Sequence, residues 1–165
     1  MSRSDMTESL PVGNIEKQLK EQGFYVSTTV GYSMWPMLKN RRDRVVLRAL
    51  EEGETLKKGD VPLYIRPHDG KHILHRILKV KEDHYIIRGD NTYSLERVPK
   101  TWIVGVLHEF YRKGKHVSVS NKKYHLYATA WQWIYPVRFV CHYVKLFFSK
   151  VIGRLKRIFK KRPKQ

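Results

Sequence analysis

The chain has 165 residues, of which 41% are hydrophobic, so it is long enough for one domain with a modest core and an appendage. Its formal net charge of +18 is extreme for this length and predicts an anionic partner: nucleic acid, a lipid headgroup surface or an acidic substrate. Cys141 is the only cysteine, which excludes an intrachain disulfide and is typical of a reducing compartment.

The N-terminal segment, residues 1–23, predicts an arm followed by a short helix. The decapeptide MSRSDMTESL is polar and lacks an apolar segment, so we expect neither a secretory signal peptide nor an N-terminal membrane anchor. A helix is predicted over residues 14–23, because Asn14 can cap its first turn and Gly23 can end it in the left-handed conformation.

Residues 24–120 have the composition of a β domain. Runs rich in β-branched and aromatic residues alternate with the turn-forming stretches KKGD, PHDG, KEDH and RGDN. The predicted strands cover 24–30, 43–50, 61–67, 71–80 and 83–90, and two more lie within 101–120 around a turn at Lys113-Gly114. Short strands at this spacing predict a compact, mostly antiparallel sheet structure.

Residues 121–165 form a basic tail in which the hydrophobic period becomes helical from Tyr124 onward. No Asp or Glu follows Glu109, and the last 56 residues carry 15 of the 33 Lys and Arg residues. Pro136 is predicted to separate or kink two helices. One side of the second helix carries basic residues, opposite an apolar side: Arg138, Lys145, Lys156 and Lys160. This pattern predicts an amphipathic helix lying on an anionic membrane.

Two other interpretations of the tail stay open. The uncharged stretch 124–137 is too short to cross a bilayer, but a spanning helix between Tyr124 and Val144 is possible despite Arg138 and Pro136. Alternatively, the tail binds nucleic acid, with Trp131, Trp133 and Tyr135 stacking on bases.

The segment GYSMWPML, residues 31–38, places one hydroxyl, that of Ser33, between apolar residues. A turn hydroxyl before Pro36 is one interpretation. The other is a nucleophile, which requires a base to take its proton, a group that orients the base, and donors for the oxyanion.

Three sequence boxes resemble, in order, those of the S24/S26 serine peptidases, the signal peptidase and repressor-cleavage superfamily. SMWPML resembles the S-M-x-P-x-L box, LHRILKV (74–80) resembles the strand that carries the base, and RGDN (88–91) resembles the G-D-N box. VGVL (104–107) resembles the closing strand. The resemblance covers roughly residues 24–110, and it implies a mainly β fold of coiled, mostly antiparallel strands.

The resemblance implies that Ser33 is the nucleophile and that His75 is the general base, as in the branch that has H-R-V at this place. Histidine suits this role because its ring titrates near neutral pH. Lys71 and Lys79 are alternative bases, but neither occupies the matching position.

Two carboxylates are candidates for the group that orients the base. Asp90 belongs to the intact G-D-N box, which favours it slightly, although it could instead hold the loop through an Asx-turn with Asn91. Glu96 stands where the histidine branch has an aspartate, six residues after the Asp of the box.

The oxyanion site departs from the pattern of many signal peptidases, which have a hydroxyl residue two positions before the nucleophile. This chain has Gly31 there. The backbone N–H of Ser33 is then the expected donor, together with a second group, and Gly31 allows a substrate to approach the backbone closely.

Together these features predict a serine endopeptidase, without metal or cofactor, that cleaves an extended peptide or precursor protein with small side chains before the cut. We expect it in the cytoplasm, peripheral on the inner face of the membrane. The alternative is a non-catalytic membrane- or nucleic-acid-binding module. A self-cleaving regulator is disfavoured because the chain lacks the Ala-Gly or Cys-Gly dipeptide of that branch.

Overall fold

The structure, a computed structural model, describes residues 15–160, with only the backbone of residue 151 and of residues 154–160. The chain is mainly β, with 34% strand and 30% helix, and its antiparallel sheets are curled. The predicted mainly β class is therefore confirmed at this level.

The helices and strands follow one another from α1 (Ile15–Gln22) to α3 (Tyr135–Lys160). The strands between them are β1 (Phe24–Thr28), β2 (Arg44–Arg48), β3 (Pro62–Arg66), β4 (Lys71–Leu74), β5 (Arg76–Val80), β6 (His84–Arg88), β7 (Glu96–Pro99), β8 (Ile103–Arg112) and β9 (Lys115–Ser118). A 3-10 turn covers Lys100–Trp102, and α2 covers Lys122–Trp133.

The strands within residues 15–160 form two antiparallel sheets. The larger sheet has the order β1-β2-β8-β3-β4, with β9 paired to β8, and the smaller has the order β5-β6-β7. The long strand β8 pairs with β2, β3 and β9, so it is the centre of the larger sheet. Strands β1 and β4 end the β1-to-β4 order of that sheet.

The segment predicted as one strand over residues 71–80 is two strands. Residues up to Leu74 pair with β3 in the larger sheet, and residues from Arg76 pair with β6 in the smaller one. The chain therefore passes from one sheet to the other at His75. Because the residues on the two sides of His75 pair with different strands, this continuous apolar segment forms two strands instead of one.

The predicted turn at Lys113-Gly114 is confirmed, since both residues have positive φ between β8 and β9. Strand β7 was not predicted. Its sequence ERVP is short, and three of its four residues are charged or proline. It becomes a strand only because β6 provides a pairing edge at Ile87 and Ile86.

Helix α1 confirms the predicted N-terminal helix and its end. The N–H of Gly23, at φ +78°, donates to the carbonyl of Leu19 at 3.0 Å, which is the αL ending that glycine favours. The predicted cap Asn14 lies outside the described residues. Leu19 is buried and anchors the helix.

The core lies between the two sheets. One buried cluster combines residues of the smaller sheet, among them Ile77, Ile87 and Val98, with Tyr64 and Val106 of the larger sheet. Because these apolar residues pack against both sheets, the position of the junction at His75 is fixed by the core.

The chain divides into two compact units between Leu126 and Tyr127. The sequence places the start of the tail at residue 121, and Tyr124 of α2 is buried in the first unit, where it hydrogen-bonds Arg76. Pro136 is the second residue of α3, so the predicted separation of two helices is confirmed.

Among the described residues, none of the helices combines the length and apolarity that crossing a bilayer requires.

Candidate active site

The buried carboxylate of Asp43 fixes the loop that carries Ser33. This residue follows the loop and accepts from the N–H of Lys39 at 2.8 Å and from the guanidinium of Arg42 at 2.6 Å and 2.9 Å. Thr29 N donates to the carbonyl of Asp43 at 3.0 Å and closes the base of the loop. The loop is therefore held at both ends while Ser33 itself stays half-buried.

The G-D-N box holds the serine from the other side. The N–H of Asn91 donates to the Ser33 carbonyl at 2.7 Å, and its side-chain amide donates to the Tyr32 carbonyl at 3.2 Å. Two segments that lie far apart in sequence are thus joined at the nucleophile candidate.

The first residue of the G-D-N box, Gly89, lies where no side chain fits. A Cβ at this position would lie 2.7 Å from the carbonyl O of Ser33 and 3.0 Å from Nε2 of His75. Only a residue without a side chain allows this approach. The serine backbone and the Nε2 edge of the imidazole therefore both lie close to this one position on Gly89.

Glu96 is the carboxylate that meets the imidazole. Its Oε1 lies 3.0 Å from Nδ1 of the buried His75, and its Oε2 accepts a 2.6 Å hydrogen bond from the hydroxyl of Tyr64. The Tyr64 hydroxyl also lies 3.3 Å from Nδ1. A proton on Nδ1 would be donated to Glu96, which leaves Nε2 as a proton acceptor on the side of Ser33.

The pKa values of this cluster follow from these contacts. The pKa of Glu96 is lowered, first by its hydrogen bond with His75 and also by that from Tyr64, against the opposing effect of burial. The pKa of Tyr64 is raised by burial and by the neighbouring Glu96 carboxylate. Glu96 is therefore an anion and Tyr64 a neutral donor at neutral pH, as the hydrogen bond between them requires.

Asp90, which the sequence slightly favours as the orienting group, pairs with Arg76. Its two carboxylate oxygens accept from Nε and Nη2 of Arg76 at 2.8 Å and 2.7 Å. This buried pair is completed by bonds from Arg76 Nη1 to the Gly59 carbonyl and the Tyr124 hydroxyl, both at 2.9 Å. Although burial alone would lower the pKa of Arg76, its hydrogen bonds with Asp90 raise it, so the guanidinium stays charged.

The Arg76–Asp90 pair ties the box to the strand after His75. It fixes β5 against the loop at residues 89–91 and so supports the position of the site. The contact offers an account of Asp90 different from both sequence interpretations, the orienting carboxylate and the Asx-turn.

Gly31 has φ +100°, and its N–H donates to Oδ1 of Asn40 at 2.9 Å. This N–H is engaged within the loop, so Gly31 fits the role of a close-approach residue better than that of an oxyanion donor. Gly31 and Ser33 both line a cleft of about 340 Å³.

This cleft runs between the two end strands of the β1-to-β4 order. It is lined by residues 27–31 at the end of β1, by residues 72–74 of β4, and by apolar side chains such as Met34 and Leu63. Because consecutive residues of both strands face it, the cleft exposes strand backbone as well as side chains.

The alternative bases lie elsewhere. Lys71 is exposed and pairs with Asp69 at 3.4 Å, and Lys79 is exposed on β5. Among the described residues there is no group of three or more His, Cys, Asp or Glu side chains that could hold a metal ion.

The basic residues assigned to a membrane surface are only partly described. Lys145 is exposed, whereas the Arg138 guanidinium lies over the Trp131 ring at 3.8 Å from its centroid and is half-buried. Lys156 and Lys160 belong to α3, but the structure describes only their backbone.

Sequence reasoning missed Tyr64 and the pairing of Arg76. An arginine in an apolar strand is a signal for a buried carboxylate partner, but the sequence does not identify Asp90 as that partner. Tyr64 is one of 10 tyrosines, and no local signal distinguishes it.

Comparison of the sequence with protein-family models and with curated proteins finds no match.

Proposed function

We propose that the protein is a serine endopeptidase in which Ser33 is the nucleophile and His75 the general base. The observation that carries this proposal is the environment of His75: a carboxylate lies at Nδ1, and the Ser33 carbonyl and Nε2 both lie next to Gly89. A structural histidine needs neither feature, whereas an acyl-transfer site needs both.

In the proposed reaction, Nε2 of His75 takes the proton of the Ser33 hydroxyl as its oxygen attacks the scissile carbonyl carbon. Glu96 stabilises the imidazolium that forms, and Tyr64 holds Glu96. The imidazolium then protonates the leaving amine. Water, deprotonated by His75, hydrolyses the acyl-enzyme and restores the Ser33 hydroxyl.

The proposed substrate is an extended peptide or precursor protein that binds in the cleft between β1 and β4. Edge strands can pair with an added strand, which supplies affinity through backbone hydrogen bonds independent of sequence. The cleft next to Ser33 would then select one or a few substrate side chains.

The test is cleavage of a peptide library by the purified full-length protein, combined with a serine-directed acylating probe. Wild type should cleave and be labelled. Ser33→Ala and His75→Ala should lose at least about 10³ in kcat, as removal of a triad member does. Ser120→Ala, in the exposed turn after β9, is the matched control and should retain activity. Wild-type cleavage by Ser33→Ala would refute the assignment.

We also propose that the tail binds an anionic membrane surface and keeps the peptidase in the cytoplasm beside membrane-delivered substrates. The supporting observation is the surface of α3. Its described large apolar side chains are widely exposed, for example Val140, Phe147 and Phe148 at 58–64%. Exposed apolar residues beside Lys145 and Lys150, in a segment without acids, favour a lipid surface.

Co-sedimentation with vesicles tests this second proposal. Full-length protein should bind vesicles containing anionic lipid, more weakly as salt rises. The double variant Phe147→Glu/Phe148→Glu should lose most of this binding, whereas Phe147→Leu/Phe148→Leu should retain it. Nucleic acid is the alternative partner, and preferential binding to it over anionic vesicles at equal salt would contradict the membrane role.

A further inference from the structure

We propose that His72 is a specificity residue that selects substrates with an uncharged hydrogen-bonding side chain, above all Thr or Ser, in the cleft beside Ser33. This inference rests on the proposed peptidase function, because it names the substrate class of that same site.

His72 lies at the cleft that contains Ser33. It lies on β4, the last strand in the β1-to-β4 order, where its backbone pairs with Ile65 of β3. It lines the same cleft as Ser33, together with Ile73 and Leu74. A substrate held between β1 and β4 would therefore place a side chain next to this imidazole.

The second step is that this imidazole is unsatisfied. Nδ1 and Nε2 of His72 are both shielded from solvent, and neither has a hydrogen-bond partner among the described residues. The residue as a whole is half-buried, so the proposal includes a rotation of the ring that brings one nitrogen to the cleft when a substrate binds. A buried polar group without a partner is unfavourable because it has lost its hydration without a replacement, so such groups in folded proteins are few and call for an explanation. A substrate group that pairs with this ring would remove the penalty at the moment of binding.

The chemistry of the cleft determines which group fits. A neutral imidazole offers one donor and one acceptor, and a hydroxyl or a carboxamide can pair with either. Among the described lining residues there is no Asp, Glu, Lys or Arg. A charged substrate side chain would thus lose its hydration without gaining an opposite charge. Apolar side chains would leave the ring unpaired.

The size of the cleft favours a small member of this class. Its volume of about 340 Å³ is at the lower end for a binding pocket and must also hold part of the substrate backbone. Ser and Thr are the smallest side chains that carry such a group, so they are the preferred residues.

The experiment compares isosteric substrates. In a peptide that wild type cleaves, each of the residues before the cut is replaced in turn by Thr, Val, Gln or Glu. At one position wild type should prefer Thr over Val by about tenfold in kcat/KM. The two side chains have nearly the same shape, but only the Thr hydroxyl can form a hydrogen bond with the His72 ring. His72→Leu should abolish that ratio, and His72→Gln should keep part of it.

His68→Leu is the matched control, since this histidine is exposed in the turn before β4 and should leave the ratio unchanged. An unchanged Thr/Val ratio in His72→Leu would overturn the proposal, and so would a preference for Glu over Gln at the responsive position. If His72→Leu does not fold, loss of the ratio in His72→Phe or its retention in His72→Gln decides instead.

The two proposals fail in different ways. If wild type cleaves no peptide, the peptidase function is wrong, and the ¹⁵N NMR signals of the His72 ring then test the recognition role alone. A shift on adding the Thr peptide but not the Val peptide would support a binding cleft with this selectivity. No shift with either peptide would refute it.

Discussion

Replacing Glu96 with glutamine preserves the size of the side chain but removes the negative charge that faces Nδ1 of His75. Loss of the carboxylate that orients the histidine lowers kcat by about 10⁴ in a serine triad. The Glu96 side chain is 28% exposed, so water can replace part of its effect. We therefore expect a smaller loss for Glu96→Gln, about 10²–10³ in kcat, with a loss of about 1 kcal/mol in the free energy of unfolding.

Asp90→Asn is the matched comparison, because it makes the same chemical change at the other candidate. The side chains of Arg76 and Asp90 are 1% and 0% exposed, so removing one partner leaves a buried charge uncompensated. Breaking such a pair costs about 3–5 kcal/mol of stability. We expect Asp90→Asn to be strongly destabilised and, where it is folded at low temperature, to keep most of its activity.

The assay measures kcat on a cleaved peptide and the free energy of unfolding in denaturant for the wild type and both variants. The structure predicts a crossed result, in which one variant loses activity and the other loses stability. A folded but inactive Asp90→Asn beside an active Glu96→Gln would refute the assignment of Glu96. Small and equal effects on kcat would instead indicate a Ser33–His75 dyad.

Three further predictions concern the same cluster. Tyr64→Phe should lower kcat about tenfold with little change in KM, because Glu96 loses the donor that holds it; an unchanged kcat would contradict this role. Gly89→Ala should reduce kcat/KM at least tenfold while destabilising the fold by about 1–3 kcal/mol, since its Cβ would meet Ser33 and His75; wild-type kinetics would show that the contact is not needed. Because the pKa of Glu96 is lowered in the folded state, its stabilisation exists above the ordinary glutamate pKa of about 4.3 and is lost as pH falls through the lowered value. The difference in unfolding free energy between wild type and Glu96→Gln should therefore shrink in acid, and a constant difference from pH 3 to 7 would refute the linkage.

The sequence by itself determined the local structure. Alternating β-branched and aromatic runs with turn residues between them predicted most strands, and Gly23, Pro136 and Lys113-Gly114 marked the ends and breaks that the structure has. These features depend on the conformational preferences of a few adjacent residues, so a linear pattern contains them. The uneven charge also identified the tail without any structural information.

Only the tertiary structure decided which carboxylate faces His75. Asp90 and Glu96 are both close in sequence to the end of β6, and sequence spacing cannot tell which one faces His75 and which one faces Arg76. The division of residues 71–80 between two sheets, the pairing of Arg76 with Asp90, and the edge provided by β6 for β7 are all long-range contacts. Such contacts are fixed by sheet pairing and burial across the whole domain, and for this reason Tyr64, Glu96 and His75 meet although 32 positions separate the first two.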